Sequence, residues 1–498
     1  MNNKLLNAMK TEANVIRTEN GGVAYKSTFN AIQDLFALGG SYRTRSDEDV
    51  ILLFKKAFEE DNVLALKCLF YLRDIRGGQG ERRFFRTVIK WLAKNHTEAI
   101  RRNLKFIPEF GRWDDLYEFV GTPLEKDAFK FMYDQLALDV ACKTPSLLAK
   151  WLKSTNTSSR ESCRLGNATR IAFGMTAKQY RKTLSILRNR IKVVEKLMSE
   201  GRWDEIEFDK LPSKAGIIYK NAFARKDLIK EKYTAFATDS KTKVNAKTLN
   251  PCEVVREVTN HLSYWGSTMS AFSDVKRAMI NKYWDNLKDY FNGATFDGVA
   301  VVDTSASMCG RGGNVAPIDV AISLGLYCAE KCAPTSPWFG HYISFSRNAR
   351  LVPVEGIDFV DKVYRIYRKN LCENTNIKSV FDLLLDTALK NHIPAAEMPK
   401  NVVIISDMEF DYCSEMGRTY KSEMEKIMTI WKSYGYEAPH LIFWNVDARQ
   451  DNIPMKDNGH VTFVSGYSPV IYEMLMTGKT GLDLVLDKLN SERYACIR

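Results

Sequence analysis

The chain has 498 residues, 45% of them hydrophobic, with a formal net charge of +12 and ten cysteines at irregular spacing. Such a length accommodates two or three domains around a large core. The absence of any C-x-x-C framework, with only six scattered histidines, excludes a disulfide-stapled secreted module and a zinc finger.

The opening residues, Met1-Asn2-Asn3-Lys4-Leu5-Leu6, lack the apolar core of a signal peptide, and no apolar run approaches membrane-spanning length. A soluble cytoplasmic protein with no membrane partner is expected, in a host cytoplasm if the protein is viral. Charge is unevenly spread. From residue 291 onward there are 21 Lys+Arg and 25 Asp+Glu, which leaves 51 basic and 35 acidic residues before that point. The whole positive excess belongs to the N-terminal part, and such asymmetry points to a nucleic-acid partner for it.

From Ala24 to Asn292 the apolar spacing is helical. Residues 47–58 and 63–72 each carry an apolar face, which Trp91, Leu92, Ile100, Leu104 and Phe106 continue. The segment Arg76-Gly77-Gly78-Gln79-Gly80-Glu81-Arg82 lacks the Gly-Lys-Ser/Thr ending of a phosphate loop and follows no apolar strand, so it reads as a tight turn between helices. Arg73, Arg76 and Glu81 are expected to pair within that repeat. Gly111-Arg112-Trp113-Asp114 recurs as Gly201-Arg202-Trp203-Asp204, each reading as a helix start with Asp near the positive end of the dipole. Residues 180–197 read as one long basic amphipathic helix, and residues 238–251 as an exposed loop. Helices joined by short loops imply stacked antiparallel hairpins, an irregular helical solenoid.

One stretch of this region is densely basic. Arg160, Arg164, Arg170, Arg181, Lys182, Arg188, Arg190 and Lys192, together with Lys150 and Lys153, are candidate RNA-binding residues, since Lys and Arg facing phosphates give salt-sensitive affinity. Trp151, Phe173 and Tyr180 are candidate stacking platforms.

A change of pattern at Asn292-Gly293-Ala294-Thr295 divides the chain into domains 1–292 and 293–498. The second alternates strands and helices. Strands are expected at 298–303, 338–345, 350–354 at an edge, 401–407, 440–446 and 461–464. Helices are expected at 319–328, 379–389, 424–431 and 470–476. This is the pattern of a doubly wound, mostly parallel sheet. Cys328 and Cys332 share a helix face and read as buried thiols. The first strand delivers Asp303, Ser305 and Ser307 into a tight loop, the fourth ends at Asp407, and the polar loop Glu373-Asn374-Thr375-Asn376 lies between them in sequence. Hard oxygen donors without His or Cys suit Mg²⁺ or Mn²⁺. In the plainer alternative, Asp303 and Ser305 cap the helix beginning near Pro317. Glu409 and Asp411 are either supporting groups around the metal or surface acids. Met308, Gly310, Arg311, Gly312 and Gly313 form a candidate mobile loop. No Ser-His-Asp, Cys-His or activated carboxylate pair stands out, so a non-enzymatic protein is expected.

The set Asp303, Ser305, Ser307, Thr375 and Asp407 resembles, in chain order, the metal-ion-dependent adhesion site of von Willebrand factor A domains. That resemblance implies a Rossmann-like fold and a metal held by hydroxyls and carboxylates, with one position open to an acidic group of a partner protein. In the first domain, Arg73-Asp74-Ile75-Arg76-Gly77-Gly78-Gln79-Gly80-Glu81-Arg82-Arg83, Pro108-Glu109-Phe110-Gly111-Arg112-Trp113-Asp114-Asp115, Lys150-Trp151-Leu152-Lys153 and Leu211-Pro212-Ser213-Lys214-Ala215 resemble an uncharacterised family found in plants, large DNA viruses and phages. That family is itself similar to the TROVE module of the Ro autoantigen. The resemblance implies HEAT-like helical repeats forming a ring or horseshoe, followed by a von Willebrand A domain, and a Ro-like role in binding single-stranded RNA ends or small structured RNAs. The alternative is a metal-dependent protein-interaction scaffold, such as an ATPase adaptor or a viral particle component.

Overall fold

The computed structural model describes residues 3–260, 272–310, 315–369, 374–412, 422–457 and 459–498. The two shortest strands come first. Val15–Arg17 (β1) and Val23–Tyr25 (β2) pair antiparallel, Val15 opposite Tyr25. From residue 31 to residue 285 the described chain is helical, followed by a six-stranded sheet with helices between its strands.

The helical region explains its own motifs. The glycines of 76–82 make the turn between helices Asn62–Arg73 and Arg82–Asn95, as expected. A Cβ on Gly78 would lie 1.9 Å from the Tyr71 carbonyl oxygen, so only glycine lets the chain fold back so closely. The expected pairing within this repeat is corrected. Arg73 bonds Asp115 at 2.8 Å, Arg76 donates to the Glu109 carbonyl, and Glu81 pairs with Arg43 at 2.7 Å. The two Gly-Arg-Trp-Asp segments open short 3₁₀ turns, Trp113–Phe119 and Trp203–Glu205, rather than α-helices. The long basic helix of 180–197 is two helices, Ala177–Arg190 and Val194–Ser199. Lys192 sits between them at φ 47°, a left-handed conformation that ends the first helix.

In the second region the apolar runs become strands buried on both faces, with the edge strand alone largely open to solvent. They are Gly298–Asp303 (β3), His341–Phe345 (β4), Arg350–Pro353 (β5), Asn401–Ser406 (β6), His440–Asn445 (β7) and Val461–Ser465 (β8), in spatial order β5-β4-β3-β6-β7-β8. All are parallel except the edge strand β5, which runs antiparallel to β4. Val301 stands between Ile343 and Ile404. Helix Pro317–Lys331 lies so close to β3 that a Cβ on Gly325 would meet Val302 at 2.3 Å. Cys328 and Cys332 on that helix are buried thiols, and burial pushes both above the usual thiol range.

Both ends of the helical region rest on the sheet region. At one end, helix Ala31–Leu38 packs on β8, the Gly40 N–H donates to Ser465 Oγ at 2.9 Å, and Arg493 pairs with the buried Asp74. At the other, helix Pro251–Thr259 packs on Pro317–Lys331, and Trp284 stacks on Phe359 at 4.2 Å. A large cavity remains between the helical wall and the loops after β8. Among the described residues no helix is long and apolar enough to cross a membrane.

Candidate metal cup and basic cavity

The strands β3 and β6 are neighbours at the centre of the sheet, where the strand order reverses direction. In α/β sheets the crevice beyond the carboxyl ends of such a pair is where ligands sit. Asp303, the last residue of β3, is fully buried, and its two oxygens accept from the Ser305 N–H at 2.9 Å and Ser406 Oγ at 2.5 Å. Ser305 Oγ and Ser307 Oγ are 3.0 Å apart. Asp407 follows β6 and accepts from the Glu409 N–H at 3.2 Å and the Arg449 guanidinium at 2.8 Å. Between them Met408 is held at φ 65°, a left-handed non-glycine residue of the sort that backbone tolerates where its neighbours must be aimed. Thr375 is buried, its loop tied down by the Asp411 N–H to its carbonyl and by the Asn376 N–H to the Ser346 carbonyl. The helix after the first loop, Pro317–Lys331, starts at Ala316 with no side-chain cap, so Asp303 and Ser305 do not serve as its cap.

Electrostatics distinguish this place from an ordinary core. Burial, and then the charge of Asp407, push Asp303 up to about 7. Burial likewise pushes Glu409 up to about 7 and Asp447 up to about 6, with Asp407 adding to both. Glu409 is fully buried rather than a surface acid, and its Oε1 has no hydrogen-bond partner among the described residues. Arg449 is the guanidinium that answers this group, and it also pairs with Glu19. Among the described residues no three His, Cys, Asp or Glu side chains are placed to hold an ion by themselves. Hydroxyls would have to complete the shell, and three stand at hand. Two buried carboxylates, three hydroxyls and an excess of negative charge fit a hard divalent cation. Arg311, Gly312, Gly313 and Glu373 lie outside the described residues.

The second feature is the cavity, about 1500 Å³. Its wall carries eleven Lys or Arg side chains against four Glu and no Asp. Burial and the neighbouring charges of Arg112 and Arg86 push Arg82 below its ordinary value, a sign of crowded positive charge. Arg188 spends its donors on the Ala149 and Leu152 carbonyls and Ser154 Oγ, which satisfies its geometry without neutralising it. Trp151 is half-buried in the wall, with the Arg112 guanidinium 4.0 Å from its ring centre. None of the five cup residues lines the cavity.

Residues 18–144 and 142–292 match the family model described as Domain of unknown function (DUF2828), and residues 297–493 match another described as Domain of unknown function (DUF7788). The chain belongs to the DUF2828 family. It is also similar to an uncharacterized protein of Acanthamoeba polyphaga mimivirus, 31% identical over 514 residues, covering 94% of this chain and 85% of that protein. Among solved structures, the crystal structure of the Deinococcus radiodurans Ro (RSR) protein is similar at a TM-score of 0.46 and 14% identity, covering 91% of this chain and 100% of that one.

This DUF2828 chain distributes the candidate RNA-binding residues unevenly. Lys150, Arg181 and Arg188 line the cavity. Lys153, Arg160, Arg164, Arg170, Lys182, Arg190 and Lys192 are not part of its lining. Several are engaged locally, Arg164 with Glu161, Arg190 with the Val140 carbonyl, and Lys192 with Glu207 at 3.6 Å. Of the three aromatic candidates, Phe173 is buried in the core away from the cavity, Tyr180 is buried but borders it, and Trp151 is half-buried in its wall. Arg43, Arg82, Arg112, Lys214, Lys247 and Arg256 also line it and come from outside the basic stretch of residues 150–192. Near the cup, sequence reasoning missed Glu19, Asn20 and Arg449. Only the tertiary fold brings the first two across roughly four hundred residues of chain, and no local pattern announces them.

Proposed function

We propose that this protein is a non-enzymatic, Ro-like RNA-binding protein. In this reading its helical region is a TROVE-type array of HEAT-like repeats, its C-terminal domain is of the von Willebrand factor A type, and a single RNA strand occupies the cavity. The carrying observation is the lining, eleven Lys or Arg against four Glu, concentrated in the part of the chain that holds the positive excess. A cube of 1500 Å³ is about 11 Å on edge, no wider than one major groove of a duplex, so the space suits a single strand rather than a helix. Phosphates would meet the cationic wall and a base would meet Trp151. Arg181 and Lys247 line the wall with no carboxylate within 4 Å among the described residues, which leaves them available.

The test is fluorescence anisotropy of a short labelled single-stranded RNA at several salt concentrations. With about three or four phosphates held, the slope of log affinity on log salt is about −2 to −3. Arg181→Glu and Lys247→Glu should each weaken binding and flatten that slope, with the fold unchanged. Affinity indifferent to salt and to both charge reversals, or a duplex bound as tightly as the single strand, overturns the reading.

The cup supports a second element of the same proposal, a Mg²⁺ or Mn²⁺ ion held by Asp303, Ser305, Ser307, Thr375 and Asp407. The support is the excess of buried carboxylates around one guanidinium. The ion would supply positive charge there and join the three loops, leaving a place for an acidic group of a protein partner. Isothermal titration with Mn²⁺ should show one site that is lost in Asp303→Ala; equal binding by the wild type and the variant overturns this placement.

A further inference from the structure

The loop that carries Trp151 is fixed from behind and left unbonded on the cavity side. Arg188, from helix Ala177–Arg190, donates to the Ala149 carbonyl at 2.8 Å, the Leu152 carbonyl at 2.8 Å and Ser154 Oγ at 3.3 Å. The Tyr180 hydroxyl donates to the Lys153 carbonyl at 2.9 Å, and the Lys153 N–H donates to the Tyr117 hydroxyl at 3.0 Å. Both tyrosines are buried. Helix Arg160–Ala172 passes so close that a Cβ on Gly166 would stand 2.6 Å from the Ser154 carbonyl oxygen. Farther along, the Thr157 N–H donates to Cys163 Sγ at 3.3 Å, so Asn156 is held between two fixed points.

The cavity side is the opposite. Trp151 and Asn156 line the cavity, and Asn156 is exposed. The Trp151 indole N–H and the Asn156 side-chain amide have no hydrogen-bond partner among the described residues. The planar neighbour of the Trp151 ring is the Arg112 guanidinium, 4.0 Å from its centre and locked in turn by a fork on Asp114 at 2.9 and 2.9 Å.

We infer, on the RNA reading of the cavity, that residues 151–156 form a base-reading subsite selective for an unpaired purine, and that Arg188 is its positioning residue rather than a phosphate ligand.

Phosphate asks only for charge, which flexible lysines supply at almost any geometry. A base edge asks for a donor and an acceptor at fixed places beside a flat surface. The loop offers that combination in the Trp151 ring, its indole N–H and the Asn156 amide, which both donates and accepts. A purine presents the larger face to the ring, and its edge sets a ring-nitrogen acceptor beside an exocyclic group. Arg188 is spent differently. Its three acceptors are neutral, and burial pushes it below its ordinary value, so it loses hydration without gaining an ion pair. A residue placed to attract phosphate would aim those donors into the cavity. They fix instead the two carbonyls on either side of Trp151.

The test uses the full-length protein and fluorescence anisotropy with three short labelled strands of equal length and charge. These are oligo-adenylate, oligo-uridylate, and an oligo-adenylate with abasic residues at its centre. Oligo-adenylate should bind about 5- to 10-fold more tightly than the other two. Trp151→Leu and Asn156→Ala should each remove most of that difference without changing the slope of log affinity on log salt, because no phosphate contact is lost. Arg188→Lys keeps the charge but cannot fork across two carbonyls. It should lose the adenylate preference as fully as Arg188→Met does, again at constant slope. A phosphate ligand would tolerate lysine, while methionine would weaken all three strands equally and flatten the slope by about 0.7; that pattern overturns the positioning role. Equal or tighter binding of oligo-uridylate by the wild type overturns the purine selectivity. An abasic strand bound as tightly as oligo-adenylate, or a preference that survives both Trp151→Leu and Asn156→Ala, overturns the subsite. Asn156 is exposed, so its variant stays folded and the comparison does not depend on the buried Arg188 substitutions. If no strand binds at all, the RNA reading falls and the subsite with it.

Discussion

Asp115 shows how much a single buried carboxylate holds in place. It is fully buried and accepts from Arg73 Nε at 2.8 Å, Arg86 Nε at 2.7 Å and the Arg112 N–H at 3.0 Å. Removing it strands Arg73, itself only 2% exposed, without a counter-charge. Asp115→Ala should therefore cost about 3–5 kcal/mol in urea unfolding, whereas Asp134→Ala, which breaks an exposed pair with Lys130, should cost at most about 0.5 kcal/mol. Arg73, Arg112 and Asp115 all lie in segments that stand out in the sequence, but spacing reveals faces and not partners 42 residues apart. A second residue-scale prediction concerns His440, whose ring nitrogens meet Asn401 Oδ1 and Thr462 Oγ1. Burial, and then the charge of His460, push it from 6.5 down to about 4. The unfolded chain takes up the proton first, so this contribution is full above pH 6.5 and is lost as pH falls through about 4. Chemical denaturation across that range should show stability declining with pH, and His440→Gln should flatten part of the decline.

At the scale of elements, the legible parts were those whose signal is local. The strands β3, β6, β7 and β8 are dominated by apolar residues, and the six strands between residues 298 and 465 were expected in the order the structure has, but one helix between them was not. Helix Phe359–Arg368 is the one not expected from the sequence, although its stripe of Phe359, Val360, Val363 and Ile366 is buried at helical spacing. The β1–β2 hairpin carries no such stripe, because three residues per strand are too few for an alternation to register. The break at Lys192 is hidden for another reason, since no glycine or asparagine marks that left-handed residue. The turn of residues 76–82 allows a direct comparison of two glycines. Gly78 has no room for a Cβ beside the Tyr71 carbonyl, while Gly80, at φ 67°, has nothing within 4 Å. Gly80→Ala should cost about 1–2 kcal/mol, the penalty for a Cβ in left-handed backbone. Gly78→Ala should cost more, because the turn must move off the Tyr71 carbonyl at the end of the preceding helix, and thermal melting of the pair of variants would order them.

For the molecule as a whole, charge asymmetry and the two-part order were visible in the sequence, but the closure of the helical region onto the sheet was not. It depends on contacts such as Gly40 with Ser465 and Trp284 with Phe359, each made by residues distant in the chain. The cavity exists because both seams hold, so its wall is a property of the assembled chain and not of any one repeat. The seam around Trp284 combines the stack on Phe359, an indole N–H donated to Glu330 at 2.8 Å, and the fork of Arg277 on Asp358 at 2.6 and 2.8 Å. Trp284 does not line the cavity. Trp284→Ala should remove about 3–5 kcal/mol from that seam while leaving the cationic wall chemically intact. If the RNA site depends on closure, the variant should release single-stranded RNA faster and show a larger radius of gyration in X-ray scattering, although no residue facing the strand has changed. Unaltered RNA dissociation in a measurably opened molecule would mean instead that one wall of the helical region suffices to hold the strand.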